Sequence, residues 1–116
     1  MPDIFLYTAG GLTMLIAVIH GYLGATKIVK PSTAPNASAK RILHAIMFLS
    51  AVYWFVAGAV LAAAPHLFSG EVRQWTVYAC AAMLGLGALG NIWGMRGRHF
   101  GGYLLALVTA LALLGA

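Results

Sequence analysis

The sequence predicts an all-α fold: an integral membrane, up-down four-helix bundle with both termini extracytoplasmic. Three observations carry this expectation. Of 116 residues, 62% are apolar and only 8% are charged, against about 45–50% and roughly 25% in a soluble domain. The apolar residues gather in long stretches, near the ~20 residues that a span needs. The cations lie almost wholly in two of the connections between those stretches. Such a chain uses lipid as its solvent. Lipid offers no partner to a free N–H or C=O, so the spans must be helices. Short connections make successive helices antiparallel neighbours, and the length suits one domain, residues 1–116.

The first span is predicted over residues 4–25, with Gly10, Thr13, Ala17, His20 and Gly24 on one face. No basic segment precedes it, whereas Lys27 and Lys30 come after it. That pattern marks a retained helix rather than a signal peptide. Pro31 and Pro35 break the chain, and Asn36 or Ser38 can cap the next helix. The second span is predicted over residues 42–64. Its inward face is His44, Ala51, Gly58 and Ala62, with Phe48 and Phe55 between them; Ile42, Ile46, Leu49, Tyr53, Val56 and Val60 face lipid. A loop over residues 65–74 leads to the third span, 75–95, where Cys80, Leu84, Gly87, Asn91 and Gly94 align. The fourth, 100–116, is short, about 25 Å at ~1.5 Å per residue. Here His99, Gly102, Ala106 and Ala110 oppose Leu104, Leu107, Val108, Leu111 and Leu114. Small residues let helix backbones approach closely, so the small-residue faces are expected to pack inward.

Charge sets the orientation. Every Lys and Arg except Arg73 falls in two connections: Lys27, Lys30, Lys40 and Arg41 in one, Arg96 and Arg98 in the other. These two loops are expected to be cytoplasmic and the protein to lie in the cell inner membrane. The net charge of +5 is therefore a topology signal and not a basic stripe for nucleic acid. Trp75, Tyr78 and Trp93 suit the membrane interfaces. Cys80 is the sole cysteine, which rules out an intrachain disulfide or a Cys-x-x-Cys metal pair; it reads as a small core residue.

Against this background, His20, His44, Asn91 and His99 stand out. The antiparallel arrangement brings all of them to the cytoplasmic leaflet, and intramembrane polar residues are expensive enough to mark function. With Arg41, Arg96 and Arg98 they form the candidate ligand-binding set. Three readings stay open. The polar side chains can simply join helix ends, at about 0.6 kcal/mol per contact. His20, His44 and His99 can hold a transition metal, or a pair of them haem b, with nearby cations on the propionates; no carboxylate is present to orient them. The arginines and imidazoles can hold an anionic small molecule or lipid headgroup. His66 is expected to be a solvated loop residue.

The two acids, Asp3 and Glu71, are predicted outside. Without an embedded carboxylate, neither a Glu-dependent small antiporter nor magnesium-dependent phosphoryl transfer fits, and no nucleophile–base–orienter set is visible. The reading is a non-enzymatic accessory protein that binds a ligand, lipid headgroup or cofactor at a basic, His-rich pocket. The alternatives are an oligomeric small transporter or channel subunit, because so small a bundle has little room for a private pore, and a haem b or metal-binding membrane protein. Expected partners are membrane lipid, an anionic small molecule, and a second copy or larger membrane complex, with no nucleic acid.

His20-Gly-Tyr-Leu-Gly24, the Arg41–His44 entry to span two and Arg96-Gly-Arg-His99 resemble an uncharacterised group of small, bacterial four-helix inner-membrane proteins. That group has an H-x-Y-L-G first-helix end and an R-G-R-H inner turn. The resemblance covers most of the chain and implies that His20, His44 and His99 belong together. It implies no activity. Where such proteins carry an acid after L-G, this chain has Ala25, which counts against a metal role.

Overall fold

The computed structural model describes residues 2–116. Among them run four α-helices and no strand: α1 Pro2–Leu23, α2 Ala37–Leu67, α3 Gly70–Gly94 and α4 Phe100–Leu114. A π-helical segment, Gly24–Val29, extends α1; the Lys30 N–H closes it on the Ala25 carbonyl at 3.0 Å, five residues back. Sequential helices pack as neighbours, and α4 returns beside α1 to close the bundle. The contact between α2 and α3 is the slightest of these pairings. The molecule measures 50 × 25 × 18 Å.

Each boundary has a local cause. Pro2 opens α1, where its missing N–H has no helical partner to lose. Asn36 caps α2, its Oδ1 accepting the Ala39 N–H at 2.8 Å. That cap starts the helix earlier than residue 42, so Lys40 and Arg41 occupy its first turns rather than a loop, while Lys27 sits in the π segment. Their long stems let the charged ends reach outward from a helix. The second connection is likewise shorter than residues 65–74. Pro65 is tolerated inside the final turn of α2, and only Phe68 and Ser69 separate α2 from α3. At the other end, Arg96 and Gly97 take φ of 51° and 69°, and this left-handed pair reverses the chain. A non-glycine residue there stores about 1 kcal/mol or more. The Gly97 N–H satisfies the Ile92 carbonyl at 2.8 Å, and the Tyr103 hydroxyl satisfies that of Gly97 at 3.2 Å.

Three helical stretches, Pro2–Val29, Ala37–Leu67 and Gly70–Gly94, are long and apolar enough to cross a membrane. The fourth, at 15 residues, is a shorter apolar helix packed within the bundle. The core is Leu6, Leu61, Val77, Leu84, Leu105 and Val108 with interleaved alanines. α1 and α2 cross at Gly10 and Gly58, where a Cβ on Gly10 would lie 2.5 Å from the Gly58 carbonyl oxygen. The inward face predicted for α1 is the observed one. That of α4 is not: Leu105 and Val108 are buried, whereas Ala106 and Ala110 are exposed. Alanine is as comfortable against lipid as against a helix, so small size alone does not mark an interior face.

The end that carries both termini is clasped. Arg73 pairs with Asp3 and also donates to the Gly115 carbonyl at 3.3 Å. His66, expected in a loop, lies in the last turn of α2, and its Nε2 meets the Tyr7 hydroxyl at 3.0 Å. The two basic connections lie at the opposite end.

Candidate ligand cavity at the basic end

At that basic end the helix termini splay around a cavity of about 420 Å³, within the ~300–1,000 Å³ of small-molecule sites. Ile16, Ile19 and Leu23 of α1, Ile46 and Met47 of α2, and Leu104 of α4 give it apolar walls. His20, Asn91 and His99 enter it together with Ser50 and Trp54.

Glycines make the room. Gly87 of α3 seats the Trp54 indole, which a Cβ would approach to 3.0 Å. Gly24 accommodates Met47, and Gly101 accommodates the His99 ring, 2.8 Å from where a Cβ would stand. Gly90 also lines the cavity, and a Cβ there meets nothing within 4 Å.

The hydrogen bonds fix which atoms remain free. Ser50 donates its single hydroxyl proton to the Met47 carbonyl at 3.0 Å. Its oxygen can then only accept, so the 3.1 Å contact with His20 is an Nε2–H donated by the imidazole. In the neutral ring, His20 keeps an unshared lone pair on Nδ1. His99 is assigned the same way. It caps α4 by accepting the Gly101 N–H on Nδ1 at 3.1 Å, which requires a lone pair there and places the ring proton on Nε2. Asn91 donates Nδ2–H to the Gly87 carbonyl at 2.9 Å, leaving Oδ1 unused. Both imidazoles are braced by an aromatic neighbour, His20 by a tilted Trp54 ring and His99 by a stacked Phe100 ring. The His20 ring lies 4.2 Å from that of Trp54 and the His99 ring 5.0 Å from that of Phe100. The site therefore offers acceptors at His20 Nδ1 and Asn91 Oδ1 and donors at His99 Nε2–H and the second Nδ2–H of Asn91.

Of the predicted set, the structure gathers His20, Asn91 and His99 and leaves out the rest. His44 is exposed and lines a separate groove of about 360 Å³ between α1 and α2, with Gly21, Tyr22, Phe48 and Phe55. The correction comes from helix geometry: Ser50, which does meet His20, is six residues on, about 240° around the helix at ~100° per residue. Phe48 and Phe55 are exposed with it, and the buried stripe of α2 passes instead through Trp54, Ala57, Gly58 and Leu61. Arg41, Arg96 and Arg98 are exposed and outside the cavity, Arg41 donating to Ser38 at 3.1 Å.

The three histidines thus do not line one cavity, and among the described residues no three His, Cys, Asp or Glu side chains gather to hold a metal ion. His20 and His44 line different cavities. Coordination through His99 Nε2 would move the ring proton to Nδ1 and break the cap. His44 lies within α2, whereas His99 caps α4.

Ser50 and Trp54 were not singled out by the sequence. A serine in an apolar helix ordinarily satisfies itself on a carbonyl one turn back, which hides it. Trp54 carried the better signal, a mid-span tryptophan where tryptophan favours the interfaces. Comparison with protein-family models, with curated proteins and with solved structures found no match to this chain.

Proposed function

We propose that this chain is a membrane protein that holds an uncharged, lipid-soluble small molecule in the cavity at its basic end, in a binding rather than a catalytic role. The observation that carries this reading is an apolar-walled cavity in which His20, Asn91 and His99 each keep hydrogen-bonding capacity free. Polar atoms left without partners among apolar walls are costly, and a polar headgroup offsets that cost. An anionic ligand is less well served. It would meet two lone pairs and no cation, with Arg41, Arg96 and Arg98 standing outside. Those cations instead set topology: both basic connections are cytoplasmic and both termini extracytoplasmic, in a bacterial inner membrane. The basic-end cavity then lies in the cytoplasmic leaflet, reached from the bilayer.

Trp54 lines the cavity, so it reports occupancy. In a Trp75→Phe, Trp93→Phe background, a brominated long-chain alcohol should quench Trp54 fluorescence saturably. Gly90→Phe, which adds a bulky ring at the cavity wall where a Cβ meets nothing within 4 Å, should abolish the saturable phase. Quenching that rises linearly and equally in both proteins would overturn the reading.

A further inference from the structure

The second groove, the one that His44 lines, is apolar along its length and basic at its mouth. It runs between α1 and α2, from Ala17 and Phe55, midway along their helices, to Ala25 and His44 at the basic end. From residue 17 to 25, or from 55 to 44, is about 12–16 Å at ~1.5 Å per residue. That is the depth of one leaflet, half of a ~30 Å hydrocarbon core. Val18, Tyr22, Phe48, Val52 and Phe55 wall it. Gly21 keeps its floor low, since a Cβ there would stand 3.2 Å from that of Ala51. Met47 lines both this groove and the central cavity.

The groove-lining stripe of α2 passes through Phe55, Ala51, Phe48 and His44. Three and four residues further back, on the same side of the helix, come Arg41 and Lys40. Arg41 is exposed. The Lys40 Nζ donates to the Lys30 carbonyl at 3.1 Å, so its charge lies where the start of α2 meets the π-helical segment, the two elements that flank the mouth. The first turn of α2 holds no acid, and the chain's two acids, Asp3 and Glu71, are at the opposite end. Cations at a helix N-terminus oppose its dipole, which favours an anion there. An anion at the mouth would complement the dipole and the side chains together.

We propose that this groove binds one anionic phospholipid, with an acyl chain lying along it and the headgroup phosphate held at the mouth by Lys40, Arg41 and an N–H of His44. The proposal is independent of what fills the central cavity. Charge decides between this occupant and its rivals. A second copy of the chain, inserted the same way up, would bring its own basic end against this one. A zwitterionic lipid carries a cation beyond its phosphate and returns positive charge to the mouth. An anionic headgroup near a basic juxtamembrane segment gains from each Lys or Arg. The groove adds what a diffuse basic surface lacks, a bed for the chain beside a fixed place for the phosphate.

The test titrates the full chain, in micelles of uncharged detergent, with phosphatidylglycerol, with phosphatidylcholine of the same acyl chains, and with glycerol phosphate, counting bound molecules by native mass spectrometry. The first phosphatidylglycerol should bind about 10-fold or more tighter than phosphatidylcholine, the scale of two cations beside an anionic headgroup, and glycerol phosphate should not bind. High ammonium acetate concentration should narrow the preference, because these charges are exposed to screening. The double variant Lys40→Gln, Arg41→Gln should lose it, whereas Arg96→Gln, Arg98→Gln, on the other basic connection, should keep it. Val18→Trp, at an exposed position on the groove wall, should weaken both lipids. None of these side chains is buried, so the variants are expected to fold. Equal binding of the two lipids by wild type would overturn the proposal. So would equal loss in the two double variants, which marks a diffuse basic belt, or glycerol phosphate binding as tightly as the lipid, which leaves the groove no part. Lipid binding untouched by Val18→Trp would place the chain elsewhere and overturn it too.

Discussion

Gly10→Ala should be the most damaging single methyl that can be added to this protein. A Cβ at Gly10 would stand 2.5 Å from the Gly58 carbonyl oxygen, 2.7 Å from the Ala62 nitrogen and 2.8 Å from the Ala62 Cβ. The first two are backbone atoms and cannot swing aside, so α1 and α2 must separate by nearly an ångström, roughly the gap to an ordinary ~3.4 Å contact. Overpacking of this kind costs about 1–3 kcal/mol and sometimes more. Helix propensity works the other way, favouring alanine over glycine by up to about 1 kcal/mol. Gly11→Ala isolates that second effect, because a Cβ there meets nothing within 4 Å. Unfolding both variants in mixed micelles, tracked by tryptophan fluorescence, should leave Gly11→Ala at or slightly above wild type. Gly10→Ala should fall about 1–3 kcal/mol below Gly11→Ala, the overpacking cost alone. A difference under about 0.5 kcal/mol would refute the direct helix crossing at Gly10 and Gly58, since surface-like substitutions fall within that margin.

Other contacts make similarly specific demands. Gly87→Ala places a methyl 3.0 Å from the Trp54 indole, and should shift the Trp54 emission while costing about 1–2 kcal/mol, the lower range of overpacking; an unmoved spectrum would contradict the seat. Asp3→Asn removes the carboxylate that Arg73 meets, and because Asp3 is exposed the loss on unfolding should stay under about 1 kcal/mol. Cysteine introduced at Ser69 should react with an impermeant thiol reagent in intact cells and one at Ser38 should not; the reverse pattern would invert the proposed orientation.

The sequence disclosed the helices because lipid leaves the backbone few choices, and it disclosed α1's interior because Gly10, Thr13 and Ala17 repeat at helical spacing. It placed the helix ends less well. Asn36 starts α2 early, and Pro65 sits inside the final turn instead of ending the helix before it. Composition cannot weigh such local hydrogen bonds. The interior of α4 was misjudged because Ala106 and Ala110 have no reason to avoid lipid. The polar site was legible to the extent that depth fixes it. His20, Asn91 and His99 share a level and do meet in one cavity. His44 shares the level but not the azimuth, and azimuth depends on how α2 is rotated. That rotation is set by the Gly10–Gly58 approach and by Trp54 seating on Gly87, long-range contacts between spans that no single span's periodicity contains.

Whether the cavity holds a ligand can be read most directly by native mass spectrometry of the protein released from its own membrane. Wild type is expected to carry an uncharged, lipid-soluble molecule in substoichiometric to equal amount, and Gly90→Phe, folded by circular dichroism, is expected to lack it. Identical spectra for the two proteins, whether both bare or both carrying the same molecules, would contradict a ligand site at His20, Asn91 and His99.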